Sequence, residues 1–389
     1  MSAGLRPAGL RPPTVLRERD PRGRRLDLVL LLAVASLVGL GALLVWSATR
    51  QRMLDTGMAP TTFLTKHLVN AVIGLLLGSF AAFVDPRSLR AYAPVVYVAS
   101  GIGLLVVLSP LGATVNGAHS WILLPAGFQI QPSEFAKVAL VVGMAMLLGE
   151  SRDGEAEPRD GDVLLVLALA AVPMALIMLQ PDLGTTLVLV FVLLGVLSVA
   201  GAPARWIVGL LLAGVVVCAG AVQLHVLGDY QVARFAAFAN PELDPRGVGY
   251  NTNQAKIAIG SGGVWGKGLF HGTQTNGRFI PEQQTDFVFT VAGEELGLVG
   301  AGTLVLLLGV VLWRGCRIAA NAPDAFGRLV AAGVVSWFSF QSFVNIGMTL
   351  GIMPVTGLPL PFVSYGGSAM FANLVAVGLL QNVHRGSRD

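Results

Sequence analysis

The stretch LVLLLAVASLVGLGALLVWSA, from Leu28 to Ala48, contains no charged residue. A bilayer core is ~30 Å thick, so about 20 apolar residues in a helix cross it. The apolar core of a cleaved signal peptide is shorter, roughly 7–15 residues. Leu28–Ala48 therefore reads as a membrane-spanning helix. Nine further segments read the same way, near 64–84, 91–109, 134–149, 163–180, 183–201, 205–227, 286–312, 328–350 and 361–383. Composition agrees. Of 389 residues, 54% are hydrophobic and 12% charged, with mean hydropathy +0.71. A soluble domain carries roughly twice that charged fraction. The expected fold is an all-α polytopic membrane protein of about ten transmembrane helices.

Residues 1–27 hold seven arginines and read as a disordered, basic cytoplasmic tail; 28–389 read as a single transmembrane domain. With the N-terminus inside, seventeen of the 26 Lys and Arg fall on inside segments. The short outside loops hold only Arg50, Arg52 and Lys66. This asymmetry predicts both termini in the cytoplasm. It leaves a large extracytoplasmic loop, 228–285, between the seventh and eighth helices. The pI of 9.3 does not point to nucleic acid, because many basic residues flank apolar spans and set orientation. Cys218 and Cys316 are far apart, and the five histidines are scattered. Neither a disulfide framework nor a metal site follows.

Polar residues beside the spans are the functional candidates, because ionisable groups at membrane depth are costly. Asp286, in Phe279-Ile280-Pro281-Glu282-Gln283-Gln284-Thr285-Asp286-Phe287, ends the long loop where the eighth span begins. It reads either as a general base or charge stabiliser, or as a helix N-terminal carboxylate. Glu294 is eight residues on, so one helix would stack the two carboxylates. Glu134 and Lys137, three apart, predict an ion pair at the outer entrance of the fourth span. Asp182, in the corner Gln180-Pro181-Asp182, reads as the cap of the sixth helix. The run Gly260-Ser261-Gly262-Gly263-Val264-Trp265-Gly266-Lys267-Gly268 lacks the spacing of a phosphate-binding loop. It reads as a pyrophosphate or sugar contact, or as a flexible turn. A short amphipathic helix is expected just before it, near 251–260. The Pro- and Gly-rich run 354–368 implies non-helical backbone at membrane depth, tolerated where it is buried or walls a wet cavity.

These residues carry a resemblance. Asn116-Gly117-Ala118, Gln131-Pro132-Ser133-Glu134, Gln180-Pro181-Asp182-Leu183-Gly184, Thr285-Asp286-Phe287, Glu294-Glu295-Leu296-Gly297 and Ser364-Tyr365-Gly366-Gly367-Ser368 together resemble the SEDS family, which includes FtsW, RodA and SpoVE. Asp244-Pro245-Arg246-Gly247-Val248-Gly249-Tyr250 and Gly266-Lys267-Gly268, followed by Gly272-Thr273-Gln274, resemble the RodA branch. The resemblance implies a peptidoglycan glycosyltransferase of a bacterial cytoplasmic membrane. It would polymerise lipid II at the outer face during cell-wall elongation, with a class B penicillin-binding protein and the elongation machinery as partners. It implies that Asp286 is the residue needed for polymerisation and that Glu134 and Lys137 pair beside a central cavity. Two positions depart from the family pattern. Gln284 replaces a usual His, and Ser120 replaces a usual Arg before Trp121.

The implied chemistry needs one base and positive charge for the leaving pyrophosphate. Lys267, Arg234, Arg246, Arg278 or a divalent cation (Mg or Mn) could supply that charge. Trp121, Gln284, Thr285 and Ser364 are expected at the cavity. The rival readings are a lipid II flippase, a non-enzymatic scaffold, and a division or sporulation paralogue. A flippase would place polar groups at mid-bilayer, whereas the charges here cluster at the outer ends of the spans.

Overall fold

The computed structural model describes residues 25–115, 118–123, 129–149, 158–223 and 248–386. The described residues form thirteen helices and three short strands. The first seven helices are α1 (Leu28–Asp55), α2 (Thr62–Phe83), α3 (Pro86–Leu108), α4 (Pro132–Leu148), α5 (Asp160–Met178), α6 (Leu183–Val199) and α7 (Ala204–Gln223). Next come α8 (Val248–Gly262), α9 (Thr273–Gly277), α10 (Val288–Glu295), α11 (Gly297–Ala320), α12 (Ala325–Leu350) and α13 (Gly367–Gly386). Helix stands at every one of the ten apolar segments. Six helices (α1, α2, α3, α5, α11 and α12) are long and apolar enough to cross a membrane. The helix expected near 251–260 is α8.

Two elements differ from the sequence reading. The segment 286–312 is not one helix: α10 ends at Glu295 and α11 starts at Gly297, whose φ of +65° suits glycine. The loop before α4 is not wholly irregular. Its strands β1 (Ala113–Val115), β2 (Ala118–Leu123) and β3 (Gln129–Ile130) form an antiparallel sheet in the order β1-β2-β3. Ala113 pairs with Trp121, and Ile122 with Ile130. The basic tail up to residue 24 and the loop portion 224–247, with Arg234 and Arg246, lie outside the described residues.

Small residues let α2 and α13 pack backbone against backbone. Gly74 and Gly78, four apart on α2, lie against α13. A Cβ on Gly78 would sit 2.4 Å from the Leu374 carbonyl, and one on Gly378 would sit 2.1 Å from the Gly78 carbonyl. Backbones approach this closely only where side chains are absent. Further along, at the C-terminal end of α2, Asn382 donates to the carbonyls of Ala81 and Val84 at 3.1 and 2.6 Å. Asp27, the N-cap of α1, is buried and bonded within the bundle, so the fold begins one residue inside the expected tail. Its side chain accepts from Leu30 N–H at 3.0 Å and from Arg314 of α11 at 2.6 Å. Its backbone exchanges two hydrogen bonds with Gln381 of α13, at 2.8 and 3.0 Å.

Candidate active site at the Asp286 turn

Asp286 closes the turn 281–286 just before α10 and is half-buried. The turn is possible because Glu282 takes a left-handed φ of +55°. That folds the amides of Thr285 and Asp286 back onto the Glu282 carbonyl, at 3.2 and 3.1 Å. The Thr285 hydroxyl donates to the same carbonyl at 3.1 Å, and the Gln284 side-chain amide reaches the Glu282 carboxylate at 3.2 Å. Thr285 and Gln284 therefore shape the turn. The N-cap of α10 is Phe287, so Asp286 stands one position before it. Beneath the turn lies a small apolar cluster of Ala255, Ile280, Phe287, Met348 and Val355.

Two outside segments grip this turn. The Tyr365 N–H donates to the Gln284 carbonyl at 2.8 Å, which ties the turn to the run before α13. The Asn345 side chain, from α12, donates to the Asp286 carbonyl at 2.9 Å and to the Leu358 carbonyl at 2.7 Å. Ser364 is buried, and its hydroxyl accepts from the Leu360 N–H at 2.8 Å, so it organises the same Pro-rich run. The non-helical backbone expected at 354–368 is thus held by side chains of α12 and by its own turns.

Below it sits the predicted ion pair. Lys137 Nζ lies 2.7 Å from Glu134, and the two side chains are 0% and 2% exposed. Lys137 also donates to Gln341 at 3.0 Å and lies 4.6 Å from the Trp337 ring centroid. Asp182 caps α6 as expected, accepting from the Thr185 amide at 2.9 Å, and also accepts from Gln131 at 3.2 Å. Trp121 is half-buried in β2, and the neighbouring Ser120 hydroxyl is buried.

The Gly-rich run is not a loose turn. Its Lys267 and Gly268 amides donate to the Glu294 and Glu295 carbonyls, both at 3.0 Å, while Leu298 N–H donates back to Gly263 at 2.9 Å. A Cβ on Gly266 would lie 2.1 Å from the Glu295 carbonyl, and one on Gly297 2.3 Å from Gly266 N. The run clamps the α10–α11 break. Lys267 pairs with the Glu294 carboxylate at 2.9 Å, so its charge is already matched. Glu294 also accepts from the Gln274 and Thr275 amides at 2.8 and 2.9 Å. Glu294, the carboxylate expected to stack with Asp286, is thus directed to α9 and Lys267. Glu295 accepts from Ser47 of α1 at 2.8 Å. Among the described residues, no cluster of three or more His, Cys, Asp or Glu could hold a metal ion. Arg278 forms its ion pair with Asp55 at the surface.

Sequence reading missed Trp337, Gln341 and Asn345. The signal was available: two carboxamides four residues apart, so on one face, within a long apolar helix.

A family model described as Cell cycle protein, covering FtsW, RodA and SpoVE, matches residues 28–389. The chain belongs to this family. Stage V sporulation protein E of Bacillus subtilis is 39% identical over 364 residues, spanning 93% of this chain and 98% of that protein. Peptidoglycan glycosyltransferase MrdB of Escherichia coli is 38% identical, over 92% and 93%. A solved chain from a peptidoglycan synthase complex that coordinates polymerization and crosslinking superposes with TM-score 0.75 at 33% identity, over 92% and 98%. The rod shape determining protein RodA of Thermus thermophilus gives 0.69 at 32%, over 95% and 100%. With several apolar helices, this SEDS protein is a multi-pass membrane protein.

Proposed function

We propose that this SEDS protein is a peptidoglycan glycosyltransferase that polymerises lipid II, with Asp286 as the general base. The observation that carries the reading is the Asp286 turn: a half-exposed carboxylate on backbone held from two sides, by Asn345 and by Tyr365. Such placement suits a base that must meet a hydroxyl at hydrogen-bond distance. Relatives named peptidoglycan glycosyltransferase, at 36–38% identity, support the reaction class.

Asp286 removes the proton from the 4-hydroxyl of the acceptor GlcNAc. That oxygen attacks the anomeric carbon of the donor MurNAc. The bond from this carbon to the pyrophosphate oxygen breaks, and undecaprenyl diphosphate leaves with the electron pair. One displacement inverts the anomeric centre, so a single base suffices. Glycosidases pair two carboxylates because their leaving group needs a proton. Diphosphate needs positive charge instead. Lys267 is committed to Glu294, so this role falls to Arg278, Arg234 and Arg246. The Arg278–Asp55 pair is exposed, and such pairs are weak enough to be exchanged for a phosphate. A divalent cation would supply the same charge.

The reading places the reaction at the outer face of a bacterial cytoplasmic membrane. A basic tail precedes a single domain of ten spans, with both termini inside and a large outer loop between the seventh and eighth spans. Its partner is a class B penicillin-binding protein; the solved synthase complex supports this. The runs 244–250 and 266–274 favour a role in elongation.

The test is to purify the wild type and Asp286→Asn, each with the cognate transpeptidase, and to incubate them with lipid II. Glycan chains on a gel from the wild type alone, at equal folded protein, are expected. Equal polymer from both would remove Asp286 from the chemistry.

A further inference from the structure

We propose that Gln341 and Asn345 are positioning residues for Asp286, which rests on the reading of Asp286 as the base. Neither touches the reacting atoms. Both are fully buried on α12. Being four residues apart, they project from one face, one above the other.

Their amides grip successive carbonyls of the Pro-rich run. Gln341 donates to Pro359 at 2.7 Å and Asn345 to Leu358 at 2.7 Å. Asn345 uses its second N–H on the Asp286 carbonyl at 2.9 Å. One carboxamide nitrogen therefore joins the Asp286 turn to the Pro-rich run.

The orientation of Gln341 is settled by its other end. Its oxygen accepts from Lys137 Nζ at 3.0 Å and from Trp337 Nε1 at 2.6 Å. A flipped amide would set N–H against two donors and its oxygen against the Pro359 carbonyl, so only one orientation is satisfied. The buried Glu134–Lys137 pair thus orients Gln341, Gln341 holds Pro359, and the adjacent Leu358 shares Asn345 with Asp286. The ion pair acquires a purpose in this arrangement: it sets the height of the floor beneath the base. A displacement of about 1 Å at a catalytic group can cost ~100-fold in rate.

The test has two arms, run on the full chain with its transpeptidase partner. The first is hydrogen exchange read by mass spectrometry on peptides covering 279–289. Asn345→Ala is expected to raise exchange there at least tenfold, and Gln341→Leu to raise it less, with peptides from α5 unchanged. The second is lipid II polymerisation. Both variants are expected to lose at least tenfold in kcat with KM within threefold, because the acceptor's binding groups remain while the base is misplaced. Should Asn345→Ala fail to fold, Asn345→Ser keeps one donor and is read in the same way. Unchanged exchange across 279–289 in a folded variant overturns the proposal. So does a loss confined to KM, or an unchanged kcat. Raised exchange with no polymer even from the wild type would instead sink the glycosyltransferase reading and leave the positioning role standing.

Discussion

Replacing Lys137 with Met tests whether the buried ion pair is a structural requirement of the bundle. Lys137 is fully buried, with its ammonium 2.7 Å from Glu134 and 3.0 Å from Gln341. Methionine nearly matches the side-chain volume, so lost packing should cost under about 1.5 kcal/mol. The larger effect is electrostatic. Glu134 is 2% exposed, and its second carboxylate oxygen has no hydrogen-bond partner among the described residues. Removing Lys137 strands this carboxylate, and stranding one member of a buried pair costs about 3–5 kcal/mol. Removing both charges, as Glu134→Gln with Lys137→Met, is expected to recover most of the loss. Unfolding would be followed by tryptophan fluorescence in one detergent, where Trp337 beside the pair is a local reporter. A double variant no more stable than Lys137→Met would refute the reasoning. So would a single variant that loses less than about 1 kcal/mol, as exposed pairs do.

Two further outcomes are expected. Gly378→Ala should cost about 1–3 kcal/mol, since its new methyl meets the Gly78 carbonyl at 2.1 Å and forces α2 and α13 apart; thermal unfolding checks this, and an unchanged midpoint would contradict the close contact. Lys267→Met should destabilise the clamp over the α10–α11 break while leaving KM for lipid II within about threefold, because Lys267 already pairs with Glu294. A selective rise in KM at unchanged stability would return Lys267 to the diphosphate.

The apolar segments were legible because a bilayer demands unbroken hydrophobic length. The Glu134–Lys137 pair and the Asp182 cap were legible because both are local, three residues from charge to partner. Three features were not. The break at Gly297 follows from backbone contact with Gly266, thirty-one residues earlier, and hydropathy carries no trace of it. The Lys267–Glu294 pair spans twenty-seven residues, so a glycine-flanked lysine read as a phosphate contact. In the sheet before α4, β1 and β3 are only three and two residues long, and β2, Ala118–Leu123, does not alternate apolar with polar. Its Asn116-Gly117 dipeptide, between β1 and β2, was nonetheless a hairpin signal. At the site, Asp286 stood out as a charge at a span's edge. Gln341 and Asn345, which hold it, were visible as carboxamides on one face of an apolar helix, but the backbone carbonyls they act on have no sequence signature.

The bonds between Asp27 and Gln381 bear on the order in which the protein can be completed. Asp27 is among the first residues of the bundle to leave the ribosome, yet the partner of its backbone lies 354 residues later. Through most of synthesis the Asp27 amide must wait for its partner, while its carbonyl is already engaged by the Leu31 N–H at 3.1 Å. The last described helix then arrives as a bolt, closing on the N-terminal end of the first helix and on α2 along its length. A chain truncated before Gln381 would lose its closure at both ends of the polypeptide at once.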